Sequence, residues 1–459
     1  MVGTGGAPSL RESESQRTHA TRIVQTLRVR RISRYRWPLV ITAALVTTAA
    51  FSLPPMVDIG HPGAIVTAGF RTPLAYDVVA PASDVLDALT LLTPAQCTAS
   101  FALCAVIALG FWTYRRARSR TGILPHKLLR AALCFGGGTI AVAGTMLVAT
   151  RPMASIALAD RDLIAIDFHS HTEASHDGRS GFDAERNREW HSSAGFDAAY
   201  VTDHQTFDGA LSAARRNPAR SGDGMVLLPG VELRDGDQHP ILIGVDPKRM
   251  RIISPDWGAA AVEADGGPAP PILLLSLPGN IERIPLDETN GPVHLAGIEA
   301  VDGSPRGMAQ SAHERDAILS LAGQMHLAVV SASDNHGWGR TAPAWSVMRI
   351  PGWRGMTPAE LDIAIRRTII HEGPRAVEVI ARRTAPAPSN KLETAAGGVM
   401  VAITMMRTMS APERISWIGW SWGLCFLSLR IARRNAIKQR VRGRKRAERK
   451  LRPAIEAAA

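Results

Sequence analysis

The stretch "IDFHSHTEASHDG", Ile166 to Gly178, packs three histidines and two aspartates into thirteen residues at the end of a hydrophobic run. That run, "LIAIDFH", is short and apolar, and its pattern predicts a buried strand. Side chains alternate along a strand, so His169 and His171 leave it on the same side. Two imidazoles pointing together make half of a metal site, provided other parts of the chain supply the rest.

Three further strand ends carry the same residue types. "VTDH" finishes in Asp203 and His204, and "LLPGVEL" places Glu232 just past an apolar strand, with His239 opening the next. "VVSASDNHGWG" gives Asp334 and His336 in a second one-residue spacing, and Asp177 follows His171 by six residues. Each element alone is a weak signal. Burying several unpaired titratable groups at one end of a sheet, however, costs too much unless something positive compensates. Divalent cations compensate best, and mixed imidazole and carboxylate donors suit zinc, manganese or iron. The candidate metal ligands are therefore His169, His171, Asp177, His204, Glu232, His239, Asp334 and His336. Arg340, in "NHGWGRTAP", is a candidate to orient a small anionic substrate. The chain has no Gly-x-Ser-x-Gly elbow and no Gly-rich phosphate loop.

Around these motifs, strand-like runs ("AAYVTDH", "MVLLPGVEL", "HPILIGV", "PILLLS", "VHLAGIEAV", "LAVVSASD") alternate with helical patterns. "SAHERDAILSLAGQM" is one such pattern. "TPAELDIAIRRTIIHEG" is another, with Thr357 as cap, Pro358 in the first turn, Glu360 completing a capping box and Gly373 at the end. The alternation predicts a parallel α/β domain over 160–385, open or closed into a barrel, with its chemistry at the carboxyl ends of the strands.

The flanks differ in kind. The 459 residues carry a net charge of +12, but the basic excess sits at the two ends and in one short loop. That distribution reads as membrane topology, and no nucleic-acid partner is expected. Residues 1–36 form a basic arm ending in "RVRRISRYR". Residues 37–150 hold three predicted membrane spans: 37–57, one within 88–114, and 131–150, each long enough to cross a bilayer. A removable signal peptide is the competing reading of the first. Residues 386–412 read as a linker with an interfacial segment at 397–406, and 413–431 as a fourth span or an interfacial helix. A basic tail occupies 432–459. With 115–130 basic and 55–88 acidic, both termini lie inside a cell (inner) membrane. The 160–385 domain then faces the periplasm or the exterior. Cys97, Cys104, Cys134 and Cys425 all fall in apolar segments, as small hydrophobes rather than disulfides or zinc ligands.

Taken in order, "DFHSHTEASHDG", "VTDH", "GVE" and "SDNH" resemble the four signature motifs of the PHP (polymerase and histidinol phosphatase) superfamily, across 163–375. The resemblance implies a distorted (β/α)7 barrel and a metal-dependent phosphoesterase using two or three divalent ions. By motif, His169, His171, Glu232 and Asp334 would hold one ion, and Asp177, His204 and His336 another. Glu232 would bridge to a further ion at His239. "GIEAVDG" and "SASDNHGWG" look closer to the branch that includes carbamate hydrolases. The pattern departs at Leu277, where the family often supplies a histidine; His294, on the next strand, reads as a rim or core residue. The expected function is a membrane-anchored, metal-dependent hydrolase, most simply a phosphoesterase. Amide, ester or carbamate hydrolysis at the same centre is one alternative, and a non-catalytic metal-containing sensor is another.

Overall fold

The apolar run ahead of His171 forms a strand, Leu163–Ser170, buried along its whole length, and the rest of the fold is arranged about it. The computed structural model describes residues 35–61, 68–117, 151–233, 239–245, 268–276, 294–386, 388 and 390–456, with parts of 133–145. The chain begins with helix α1 (Arg36–Ala50), strands β1 (Met56–Asp58) and β2 (Ala68–Arg71), and helices α2 (Leu74–Val78), α3 (Ala80–Thr90) and α4 (Pro94–Ala117). Strand β3 (Ser155–Leu158), which pairs with β2, precedes β4 (Leu163–Ser170), α5 (Ala184–Ala194), β5 (Ala198–Val201) and α6 (Asp208–Ala214). Strands β6 (Val226–Glu232), β7 (Pro240–Ile243), β8 (Ile272–Leu275) and β9 (His294–Asp302) follow, then α7 (Pro305–Met308), α8 (Ala312–Met325) and β10 (Ala328–Ala332). The chain continues through β11 (Ala344–Arg349), α9 (Pro358–Glu372), β12 (Glu378–Arg382), α10 (Lys391–Thr408) and α11 (Ala411–Glu456).

Ten strands make one sheet in the order β1-β12-β11-β4-β5-β6-β7-β8-β9-β10. A parallel bridge between Ser170 and Asn335, with Asp334 N–H donating to the His169 carbonyl at 3.0 Å, brings the end of β10 back to the end of β4. Strands β4 to β10 therefore curl into a half-barrel, and β11, β12 and β1 continue the sheet beyond β4. The architecture is mixed α/β, and it departs from the uniform alternation expected of a (β/α)7 barrel. Strand β7 runs antiparallel to both β6 and β8. Its reason is length: seven residues separate β6 from β7, whereas a parallel crossover needs a dozen or more.

Alternation along β4 divides the core. Leu163 and Ala165 join one buried cluster with Leu227, Leu273 and Trp345, while Ile164, Ile166 and Phe168 join another against Leu361, Ile365 and Ile369 of α9. Helix α9 starts with the expected capping box, Thr357 and Glu360 bonding each other's backbone, and α8 starts with a second, from Ser311 and Glu314.

The chain separates into two units, Ser52–Met409 and a second formed by the segments on either side of it. In the larger unit, α4 is capped by Thr93 and Gln96, each side chain bonding the other's backbone N–H at 3.0–3.1 Å. The Gln96 amide also donates to the carbonyls of Ala385 and Pro386. Further along α4, Val106, Ile107, Leu109 and Phe111 are exposed. Helix α10 crosses it closely: a Cβ on Gly398 would lie 3.0 Å from Ser100. In the smaller unit α1 packs on α11, with Tyr35 stacked on Trp422 and the Trp422 indole donating to Thr42 at 3.1 Å.

Several boundaries differ from expectation. The uncharged run 37–57 is not one helix; α1 ends at Ala50, Pro54 and Pro55 cannot continue it, and Met56–Asp58 pairs with β12. Residues 55–88, read as a loop, contain β1, β2, α2 and most of α3. The segment 397–406 lies within α10. Among the described residues, two helices are long and apolar enough to cross a membrane, over Pro94–Tyr114 and Ala411–Gly443. Part of the predicted span 131–150 and most of the basic loop 115–130 lie outside the described residues, as does Leu277.

Candidate metal centre

All eight residues singled out as ligands meet at the carboxyl end of the half-barrel. Strand β4 delivers His169 and His171, β6 ends at Glu232, and Asp334 and His336 follow β10. Glu232 is the hub. Its Oε2 lies 3.0 Å from His169 Nε2, 3.2 Å from His171 Nε2 and 3.2 Å from His204 Nδ1, while its Oε1 lies 2.8 Å from His239 Nδ1. Asp334 Oδ1 is 3.1 Å from His171 Nε2 and 3.4 Å from His336 Nδ1. Asp177 closes the ring, 3.4 Å from His204 Nε2 and 3.2 Å from His336 Nε2.

Local backbone features make this convergence feasible. Asp177 can fold back only because Gly178 follows it; a Cβ there would sit 2.0 Å from the Thr172 carbonyl oxygen. Gly337, after His336, has φ +86°, where a side chain would meet the Phe182 ring. Asp334 itself has φ +44°, in the left-handed region.

Four groups of three side chains place their donor atoms within 4.8 Å of one another: His171, His204 and His336; His169, His171 and Glu232; His204, Glu232 and His239; and His176, Asp177 and His204. His176, beside Asp177, brings its ring centroid 4.9 Å from that of His204. Metal–ligand bonds of roughly 2.1 Å imply donor–donor edges of about 3.0 Å in octahedral and 3.4 Å in tetrahedral sites. The distances above span that range. His336 Nε2 is buried and makes no hydrogen bond, and His169 Nε2 faces His171 Nε2 at 2.9 Å. Two nitrogens and a carboxylate oxygen aimed at one point fit a divalent cation better than they fit each other.

Electrostatics point the same way. Burial disfavours a charged His169, yet Glu299, Glu232 and Asp334 outweigh it and hold the imidazole well above its ordinary pKa. His171 is raised to about 9 against burial, by Asp334 and Glu232. His204 is lowered to about 4, chiefly by burial. The carboxyls of Glu232 and Asp334, despite burial, are held below the usual carboxylate range by the surrounding histidines. The carboxylates call for positive charge, and among the described residues of the cluster their own imidazoles supply it.

Several contributors were not identified from sequence. Glu299, fully buried on β9, bonds His169 Nδ1 at 2.9 Å and so orients the ring from behind. Asp302, at the end of the same strand, has its carboxyl raised by burial and by Asp334 and Glu299. Asp167 accepts from the backbone N–H of His169 and of Ser333, and its other oxygen meets His191 Nε2 at 2.8 Å. That one carboxylate ties together the two strand ends that carry ligands. Carboxylates inside otherwise apolar strands, "LAGIEAVD" and "LIAIDF", were the available signal. Asp203 receives the Thr172 N–H and hydroxyl at 2.6 and 2.8 Å, bracing the loop after His171. His294 begins β9, five residues before Glu299 and at the opposite end of the strand from Asp302.

Two cavities adjoin the centre, and Arg340 lines both. One, of ≈ 420 Å³, also has Arg151, Arg179 and Arg186 on its wall. The other, of ≈ 660 Å³, reaches Asp177, Asp334 and His336. Arg179 lies over the Trp338 ring at 5.1 Å.

No family model and no curated protein matches the chain. Solved structures do. PsfC from Pseudomonas syringae is 17% identical, covering 54% of this chain and 99% of its own, with a TM-score of 0.32. A two-domain protein from Bacteroides vulgatus, described as containing a predicted PHP-like metal-dependent phosphoesterase, is 15% identical over 51% of this chain and 71% of its own, with a TM-score of 0.32. The lesion-specific endonuclease EndoQ from Pyrococcus furiosus is 13% identical over 47% of this chain and 57% of its own, at 0.34. These likenesses are remote, so the chemistry rests on the residues themselves.

Proposed function

We propose that the chain is a membrane-anchored, metal-dependent hydrolase that cleaves phosphoesters on the outer side of a cell membrane. The observation that carries this reading is the convergence of five histidines and three carboxylates (His169, His171, Asp177, His204, Glu232, His239, Asp334 and His336) at one end of a curled sheet. Glu232 Oε2 alone lies within 3.2 Å of three imidazole nitrogens. Those eight residues would hold two or three divalent ions, and the donor set suits zinc, manganese or iron. Bound there, such ions supply Lewis acidity toward a phosphoryl oxygen and toward water.

The protein's own groups do the remaining work. Glu299 fixes which nitrogen of His169 faces the centre, and Asp167 locks the strand ends. Arg340 and Arg179 bring positive charge to the mouth, where an anionic substrate group is oriented. Helix α4 supports the membrane placement, because it is apolar on faces that no described residue of the larger unit covers. The basic segments at either end favour termini on the inner side. Full-length protein should contain bound metal and release p-nitrophenol from p-nitrophenyl phosphate, and chelation should abolish release. Metal without turnover across phosphate and ester panels would instead favour a sensor.

Hydrolysis of a carbamate or related acyl bond is the second reading. What favours it is β9: the "GIEAVDG" segment that looks like the carbamate-hydrolase branch puts Glu299 against His169. Nitrophenyl phosphate and nitrophenyl carbamate assayed side by side separate the two.

A further inference from the structure

The ≈ 660 Å³ cavity at the metal centre is two-faced. Asp177, Asp334, His336 and Arg340 line it, and so do Leu89, Leu92 and Pro94, where α4 begins. Met308 and Trp338 also line it. The lining thus offers charged groups to an anion and apolar side chains to hydrocarbon.

We propose that the substrate is a phosphoester carrying a long apolar chain. Its phosphate sits at the metal centre and its chain runs along the Leu89–Leu92 wall to the first turn of α4. This deepens the hydrolase reading above and rests on it. Three observations support the chain's course. The trough is continuous from the ligand residues to Pro94 and Cys97. Pro94 opens the segment long and apolar enough to cross a bilayer, so in the membrane-anchored reading hydrocarbon begins where the trough ends. The junction is also firmly built: Gln96 bonds the carbonyls of Ala385 and Pro386 at 3.1 and 2.7 Å, and Thr90 meets Thr341, in the segment that follows His336, at 3.0 Å. A water-soluble substrate would draw nothing from this wall, whereas each methylene it buries strengthens binding roughly fourfold. In the reaction, the oxygen of water bonds to phosphorus, the phosphorus–oxygen bond to the leaving alcohol breaks, and that alcohol takes up a proton from the water.

The test uses full-length protein in phosphatidylcholine nanodiscs with two phosphodiesters, hexadecyl p-nitrophenyl phosphate and methyl p-nitrophenyl phosphate. Binding is read separately, from quenching of tryptophan emission by hexadecyl phosphate brominated at mid-chain, with Trp338 and Trp190 on the cavity wall. Wild type should favour the hexadecyl diester at least 100-fold in kcat/KM and show quenching that Trp338→Phe reduces. Met308→Glu should lower the hexadecyl-to-methyl ratio at least tenfold; it leaves lipid partitioning unaltered and so controls for it. Equal turnover of both diesters, or a ratio that Met308→Glu does not move, overturns the proposal while leaving the hydrolase reading intact. Quenching and its loss in Met308→Glu, without p-nitrophenol from either diester, supports the lipid-chain site and refutes hydrolysis.

Discussion

Two buried polar clusters in the larger unit are built on opposite plans. Around Asp87, one buried carboxylate is shared by two guanidinium groups of opposite charge. The carboxylate meets Arg382 at 2.6 Å, Arg151, the Tyr76 hydroxyl at 3.0 Å and Thr341 at 3.0 Å. Burial pushes this carboxyl up, but Arg382 and Arg151 outweigh it and hold it below the ordinary value. Around Glu232 the groups crowd without such closure: imidazole nitrogens face one another, and His336 Nε2 has no hydrogen bond. The first cluster is held by opposite charges that the chain itself supplies, and it fastens α3 to the segment after His336. The second gathers donor atoms in groups that suit divalent cations. Buried polarity alone does not mark a functional site; several donor atoms converging on one point do.

Substitution at the centre of each cluster should separate them most sharply. Glu232→Gln should remove metal and cost roughly 10³-fold or more in turnover, the equivalent of several kcal/mol of lost transition-state stabilisation. Metal analysis and p-nitrophenyl phosphate hydrolysis read both, and retained metal would erase the contrast. Asp87→Asn should act on the fold instead, destabilising it by about 3–5 kcal/mol because two buried guanidinium groups lose their partner. Unfolding measured in detergent shows this, and metal per folded molecule should stay constant.

Smaller effects probe the edges of the comparison. Glu299→Gln keeps the shape but weakens the hold on His169, and metal affinity should fall about 10–100-fold by competitive chelation. Acid should reach the Asp87 cluster late. Its folded-state pKa is depressed, so its contribution is present at neutral pH, begins to fade near the unfolded value of about 4 and is lost as pH falls through the folded value. The stability gap between wild type and Asp87→Asn should therefore narrow only below about pH 4.

Much of the centre was legible because its signals are local. His169 with His171, and Asp334 with His336, sit two apart at the ends of apolar runs, a pattern readable without knowing the fold. The capping box at Thr357 was legible for the same reason. What escaped depends on distant partners. Glu299 matters because β9 lies across the half-barrel from β4, 130 positions away in sequence, and nothing within "GIEAVDG" encodes that proximity. Strand β1 was hidden inside an uncharged run because three residues pairing with Glu378–Arg382 leave no periodicity of their own. The reversal of β7 was legible in principle, from the shortness of the segment before it.

Asp334 occupies a backbone conformation, φ +44°, in which asparagine or glycine sits more comfortably than most residues. Its replacement by glycine would relieve about 1 kcal/mol of conformational penalty and yield a sturdier but metal-poor molecule. Robustness and activity thus pull against each other at a single peptide unit. A search for thermostable variants that ignored turnover would be drawn to this position, and would select the chemistry away.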